Sequence, residues 1–168
     1  MNAGLLIARL VLGLLMAAHG SQKLLGWLGG HGIAGTGGFF ESLGFRPGKV
    51  FAVVASLTEL GSGVLVALGV LGPLGPAGML AVMIVAAGSV HAKNGLFAMT
   101  NGVEVPLLYA AGAAALALTG PGAYSLDRLL GLTAAWTPAV RLGALALGFV
   151  GGAVSLMLRR PTAAAPVA

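Results

Sequence analysis

Arg9, His19 and Lys23 recur on one face of an otherwise apolar N-terminal segment, and Glu59 lies inside the next such segment. Ionisable groups among roughly twenty apolar residues are costly in hydrocarbon, so they face a protein interior, find partners and mark functional sites. At about 100° per residue, Gly13, Met16 and Gly20 fall between the three basic side chains, and the stripe is about a third of the helix wide. Lysine and histidine there would donate hydrogen bonds and protons to a carbonyl or oxyanion, with carboxylates as acceptors. His91 and Glu104 flank a later short connection and add two more groups of the same kind.

The composition says what surrounds these groups. Apolar residues make up 58% of the chain and charged residues only 8%, whereas a soluble domain carries roughly a quarter charged residues. A water-facing surface cannot be assembled from this sequence, so the bilayer is the solvent. The net charge of +5 then reads as topology determinants at helix ends rather than as a nucleic-acid surface. The chain has no cysteine, which excludes a chain-encoded disulfide relay, thiolate nucleophile or iron–sulfur cluster. No positive n-region precedes the first apolar run and Arg9 interrupts it, so a retained membrane helix is expected there.

Five segments have the apolarity and length to span: roughly 3–20, 50–71, 74–91, 103–118 and 139–158. The expected fold is an all-α membrane protein. Residues 1–120 form a four-helix transmembrane bundle, 121–138 a connector, 139–158 an added fifth transmembrane helix, and 159–168 a disordered tail. Gly72-Pro73 joins the second and third spans as an antiparallel hairpin, and Pro106 falls in the first turn of the fourth. The connection 21–49 holds a glycine-rich run and then Phe39, Phe40 and Leu43 at one-face helical spacing. It predicts a short amphipathic helix between Thr36 and Gly44, at the interface or tucked into the bundle mouth. The run lacks the lysine ending of a phosphate loop. In the fifth span Ala144, Gly148 and Gly152 recur every four residues. They suit a homodimer or partner seam, or close packing on the chain's own bundle, which is the preferred reading.

With five spans, the 21–49 loop, the 92–101 loop and the C-terminal tail share one side. That side carries Lys23, Arg46, Lys49, Lys93, Arg159 and Arg160, which makes it cytoplasmic and gives an N-out, C-in topology. His19, Lys23, His91 and Glu104 then crowd the cytoplasmic mouth, with Arg9 and Glu59 deeper at a similar depth. Arg9 and Glu59 form either a structural ion pair or part of a ligand site. Glu104, three residues after Asn101, either caps its helix or binds ligand. His19, His91 and Glu104 could compose a two-His, one-carboxylate set, but no preorganising spacing supports metal, and none is expected.

The Arg in the first helix, His19-Gly20-Ser21-Gln22-Lys23, Leu43-Gly44-Phe45, Glu59-Leu60-Gly61-Ser62-Gly63, His91 and Glu104 together resemble the DoxX family over about 7–120. That resemblance implies a four-helix bundle in the bacterial inner membrane, belonging to a redox or thiol-stress system. Two functions follow as expectations. In one, Arg9, His19, Lys23, Glu59, His91 and Glu104 line a site for a quinone headgroup or small anion, with quinone the candidate cofactor and none encoded by the chain. In the other, the chain is a non-catalytic anchor that recruits soluble redox proteins to its basic face.

Overall fold

The computed structural model describes residues 2–160. They form helices α1 (Asn2–Leu25), α2 (Gly32–Ser42), α3 (Gly48–Leu68), α4 (Leu74–Ala86), α5 (Glu104–Thr119), α6 (Leu126–Leu129) and α7 (Pro138–Met157), with no strand among the described residues. Four helical spans are long and apolar enough to cross a membrane: α1, α3, α4 with its continuation to Asn94, and α7; α5 is a shorter apolar helix. Ile7, Val11, Leu14 and Leu15 stay exposed on α1, as lipid-facing side chains do when the solvent is hydrocarbon. The buried stripe is Arg9, Gly13, Met16, Gly20 and Ser21, the face marked by the polar residues.

The first helix runs past Gly20 to Leu25, so the connection opens at Gly26 and not at Ser21. Gly26 has φ +75, a left-handed conformation that ends a helix at little cost for glycine. The amphipathic helix begins at Gly32, earlier than Thr36. Thr36 is instead buried, donating its hydroxyl to the Lys23 carbonyl at 3.3 Å, which ties α2 to the end of α1. Gly44, at φ +91, stops the chain where expected.

Two apolar clusters hold the bundle. Met16, Val66, Met79, Tyr109, Ala113 and Leu116 join α1, α3, α4 and α5. Phe40, Phe45 and Ala52 join α2 to α3, with Val85 and Leu156 packed against them from α4 and α7. The amphipathic helix is therefore tucked into the bundle rather than laid on the membrane surface.

The fifth transmembrane helix packs lengthwise on α4. Ala144, Gly148 and Gly152 are buried there, and a Cβ on Gly148 or Gly152 would lie closer than 3.0 Å to the Ala77 or Ala81 carbonyl oxygen. This is the preferred reading of the three residues, packing on the chain's own bundle. Residues 159 and 160, expected within a disordered tail, are held: the Arg159 Nε donates to the Leu43 carbonyl and the Arg160 amide to that of Gly44 at 2.8 Å. The rest of that expected tail, 161–168, lies outside the described residues.

Candidate functional site

Glycines set the register of α1 on α3. A Cβ on Gly13 would meet the backbone of Gly63 and Ala67, one on Gly20 that of Ser56 and Leu60, and one on Gly63 that of Gly13 and Ala17, all closer than 3.0 Å. Main chain therefore lies on main chain, and any slip would drive side chains into backbone. In this register Gly20 is level with Glu59, while Arg9 is level with Gly69.

That register overturns the expected pairing of Arg9 with Glu59. Lys23 forms the ion pair with Glu59 through Oε1, and Glu59 is buried within α3. Its second oxygen, Oε2, is also buried and has no hydrogen-bond partner among the described residues. Arg9 sits about 21 Å from Lys23 along α1, fourteen residues at 1.5 Å each. There it donates to the Tyr124 carbonyl. Asp127 is fully buried and accepts the backbone N–H groups of Leu71 at 2.9 Å and Gly72 at 2.7 Å, which fixes the α3–α4 hairpin. Both spans were correctly located. Arg9 and Glu59 differ in depth because the glycine contacts offset the two helices, so that their span midpoints are not level.

His19, Lys23, Glu59 and His91 do come together. They line a cavity of about 290 Å³ with Met16, Met83, Asn101, Pro106 and Tyr109. His19 is exposed at its rim and His91 half-buried. The end of α4 winds into a π-helical turn, Ala87–His91, a wider winding common beside functional sites. His91 Nδ1 lies 2.8 Å from the Asn101 carbonyl. A carbonyl only accepts, so Nδ1 carries the proton and Nε2 is left as an acceptor in the neutral ring. Glu104 does not join the cavity lining. Its carboxylate accepts the Ala98 amide at 2.7 Å, so it organises the 95–104 connection and does not cap its own helix, whose start has no side-chain cap bond.

Lys23 and Glu59 also line a second, apolar cavity of about 150 Å³. Phe39, Phe40, Phe45 and Phe51 supply its aromatic wall, and Val82 and Val85 of α4 close another side. The ion pair is thus a partition with a polar chamber on one side and an aromatic chamber on the other. The aromatic chamber and Tyr109 were missed in the sequence. The signal for Tyr109 was present, since it is the one hydroxylated side chain in the Ala- and Leu-rich stretch from Leu107 to Leu118.

A bundle of apolar helices with an interior ion pair between two cavities defines a polytopic membrane protein. The DoxX family model matches residues 4–92. The chain is also 34% identical over 134 residues to the inner membrane protein YqjF of Escherichia coli (strain K12), covering 77% of this chain and 93% of that protein. The chain belongs to the DoxX family. No solved structure matches it. The family match includes His19, Lys23, Glu59 and His91 and ends before Glu104, α5 and α7.

Proposed function

We propose that this protein is a bacterial inner-membrane component of a redox system, and that its paired chambers hold a quinone. The observation that carries this reading is the position of Lys23–Glu59 as a wall common to a polar and an aromatic cavity. A quinone has ring carbonyls that need donors and an isoprenoid tail that needs an apolar groove. Lys23 and Tyr109 are donors on the polar wall, and the exposed His19 exchanges protons with water. The four phenylalanines suit the tail. Relatedness to an inner membrane protein supports the location, and the positive charges at the site end support a cytoplasmic mouth with N-out and C-in topology.

The test is purification in detergent followed by solvent extraction and chromatography. A quinone retained in stoichiometric amount, and lost in Lys23→Met, is the expected result. Extracts free of quinone, together with no saturable binding of a short-tailed ubiquinone analogue, overturn it. A second reading, a non-catalytic anchor for soluble redox proteins, is favoured by Arg46, Lys49 and Lys93. These are exposed at the same end and have no carboxylate partner among the described residues. Co-purification of a soluble protein in place of quinone selects it.

A further inference from the structure

We infer that the opposite end of the bundle carries a separate anion site, built to hold a phosphate group. A cavity of about 290 Å³ lies where the 119–123 segment meets α6 and the start of α7, and Arg128, Arg141, Trp136, Thr133 and Thr119 stand on its wall. No acidic side chain lines it. Behind that wall, closed to solvent, Trp136 Nε1 and Arg141 Nε have no partner among the described residues. The Arg141 guanidinium is anchored by one hydrogen bond, from Nη1 to the Leu118 carbonyl at 2.7 Å, and Trp136 is held by its ring against Gly72.

The carboxylate inventory shows that charge at this end is not balanced by the protein. The chain has four acidic residues. Glu59 is taken by Lys23, and Glu41 and Glu104 accept the Gly48 and Ala98 amides at the other end. That leaves Asp127 alone against Arg9, Arg128 and Arg141, and both its oxygens already accept hairpin amides. Guanidinium groups without a carboxylate partner among the described residues, beside the Thr133 hydroxyl, match the oxygens of a phosphate, which arginine binds through its planar fork; the Thr119 hydroxyl is already given to the Ala115 carbonyl at 2.7 Å. The site lies at a helix end, where tryptophan and arginine meet headgroups, so the phosphate has two sources: a phospholipid headgroup or free phosphate.

The chain has two tryptophans, and Trp27 lies in the connection after α1, at the other end. A Trp27→Phe protein therefore reports from Trp136 alone. Its fluorescence is titrated with inorganic phosphate, with dihexanoyl phosphatidylglycerol, and with sodium chloride at matched ionic strength. A saturable change is expected with phosphate or the lipid and not with chloride, and native mass spectrometry should show one anion retained. Response to lipid alone assigns a headgroup, and response to phosphate assigns the free ion. Arg128→Gln should weaken the midpoint about tenfold, the loss of one charge-assisted hydrogen bond. Arg128 is exposed, so its fold should survive, and Arg141→Lys provides a second variant. No saturable response to either anion, the same response to chloride, or unchanged midpoints in both variants overturns the assignment.

Discussion

Lys23 on α1 and Glu59 on α3 are joined across a seam made of glycine backbone, and each faces both a polar and an aromatic chamber. The two members of the pair differ in their exposure. Lys23 is 34% exposed and Glu59 5%, so their removal has unequal consequences. Lys23→Met strands a buried carboxylate and should cost about 3 kcal/mol at most, since breaking buried pairs costs about 3–5 and partial exposure screens this one. Glu59→Leu frees a lysine that can reach water, and should cost less. The double variant should recover much of the loss. Thermal unfolding in detergent measures all three, and equal losses for the two single variants would contradict this ordering.

The helix seam makes a second expectation. Gly20→Ala and Gly63→Ala each push a methyl into facing backbone and should destabilise by roughly 1–3 kcal/mol or more. Gly4 and Gly61, where an added Cβ meets nothing within 4 Å, should accept alanine without loss. Melting temperatures of the four variants separate packing from helix propensity.

Arg9 and Asp127 belong to the far end. Asp127→Asn replaces a carboxylate that accepts two buried amides and should lose about 1.5–3 kcal/mol. Its effect should be non-additive with Arg9→Ala, while Arg9→Ala and Glu59→Leu should add, because about 15 Å, the ten-residue rise of α3 from Glu59 to the level of Gly69, separates the two sites. A double-mutant cycle that couples Arg9 to Glu59 would contradict the register.

Topology is testable because the native chain contains no cysteine. Gly38 is exposed and an added Cβ there is unobstructed. Gly38→Cys should resist membrane-impermeant thiol reagents in intact cells and react after permeabilisation. Labelling from outside places the mouth in the periplasm.

Truncation after residue 122 should give an unstable product. It removes Asp127 from the hairpin, α7 from its seat on α4, and the Arg159 and Arg160 ties to Leu43 and Gly44. A monodisperse, folded fragment by size-exclusion chromatography would show that α7 is dispensable.

Spans and the buried face of α1 were legible in the sequence because hydrocarbon punishes every polar residue, and the pattern of exceptions draws the interior. His19, Lys23, Glu59 and His91 line one cavity, as that pattern predicts. Relative depth was not legible. Hydropathy gives the length of a span and not its offset, and the offset here comes from Gly13, Gly20 and Gly63, whose contacts exist only in the packed pair. Glu104 lies outside the cavity lining, and its place was not legible because a helix-start carboxylate and a ligand-facing one look alike until the Ala98 amide is seen beneath it. The phenylalanines of α2 showed their helical face, but their chamber requires α4 and α7, which arrive from distant sequence.

Helices that touch through backbone along several turns have no side-chain cushion to shear, so α1 and α3 behave as one rigid post. Lys23 and Glu59 are mounted on that post and cannot separate by helix sliding. The parts that lean on the post are held by side-chain ties, α2 to Lys23 through Thr36 and the 95–104 connection through Glu104, and hydrogen exchange should find slower amides in the post than in these two.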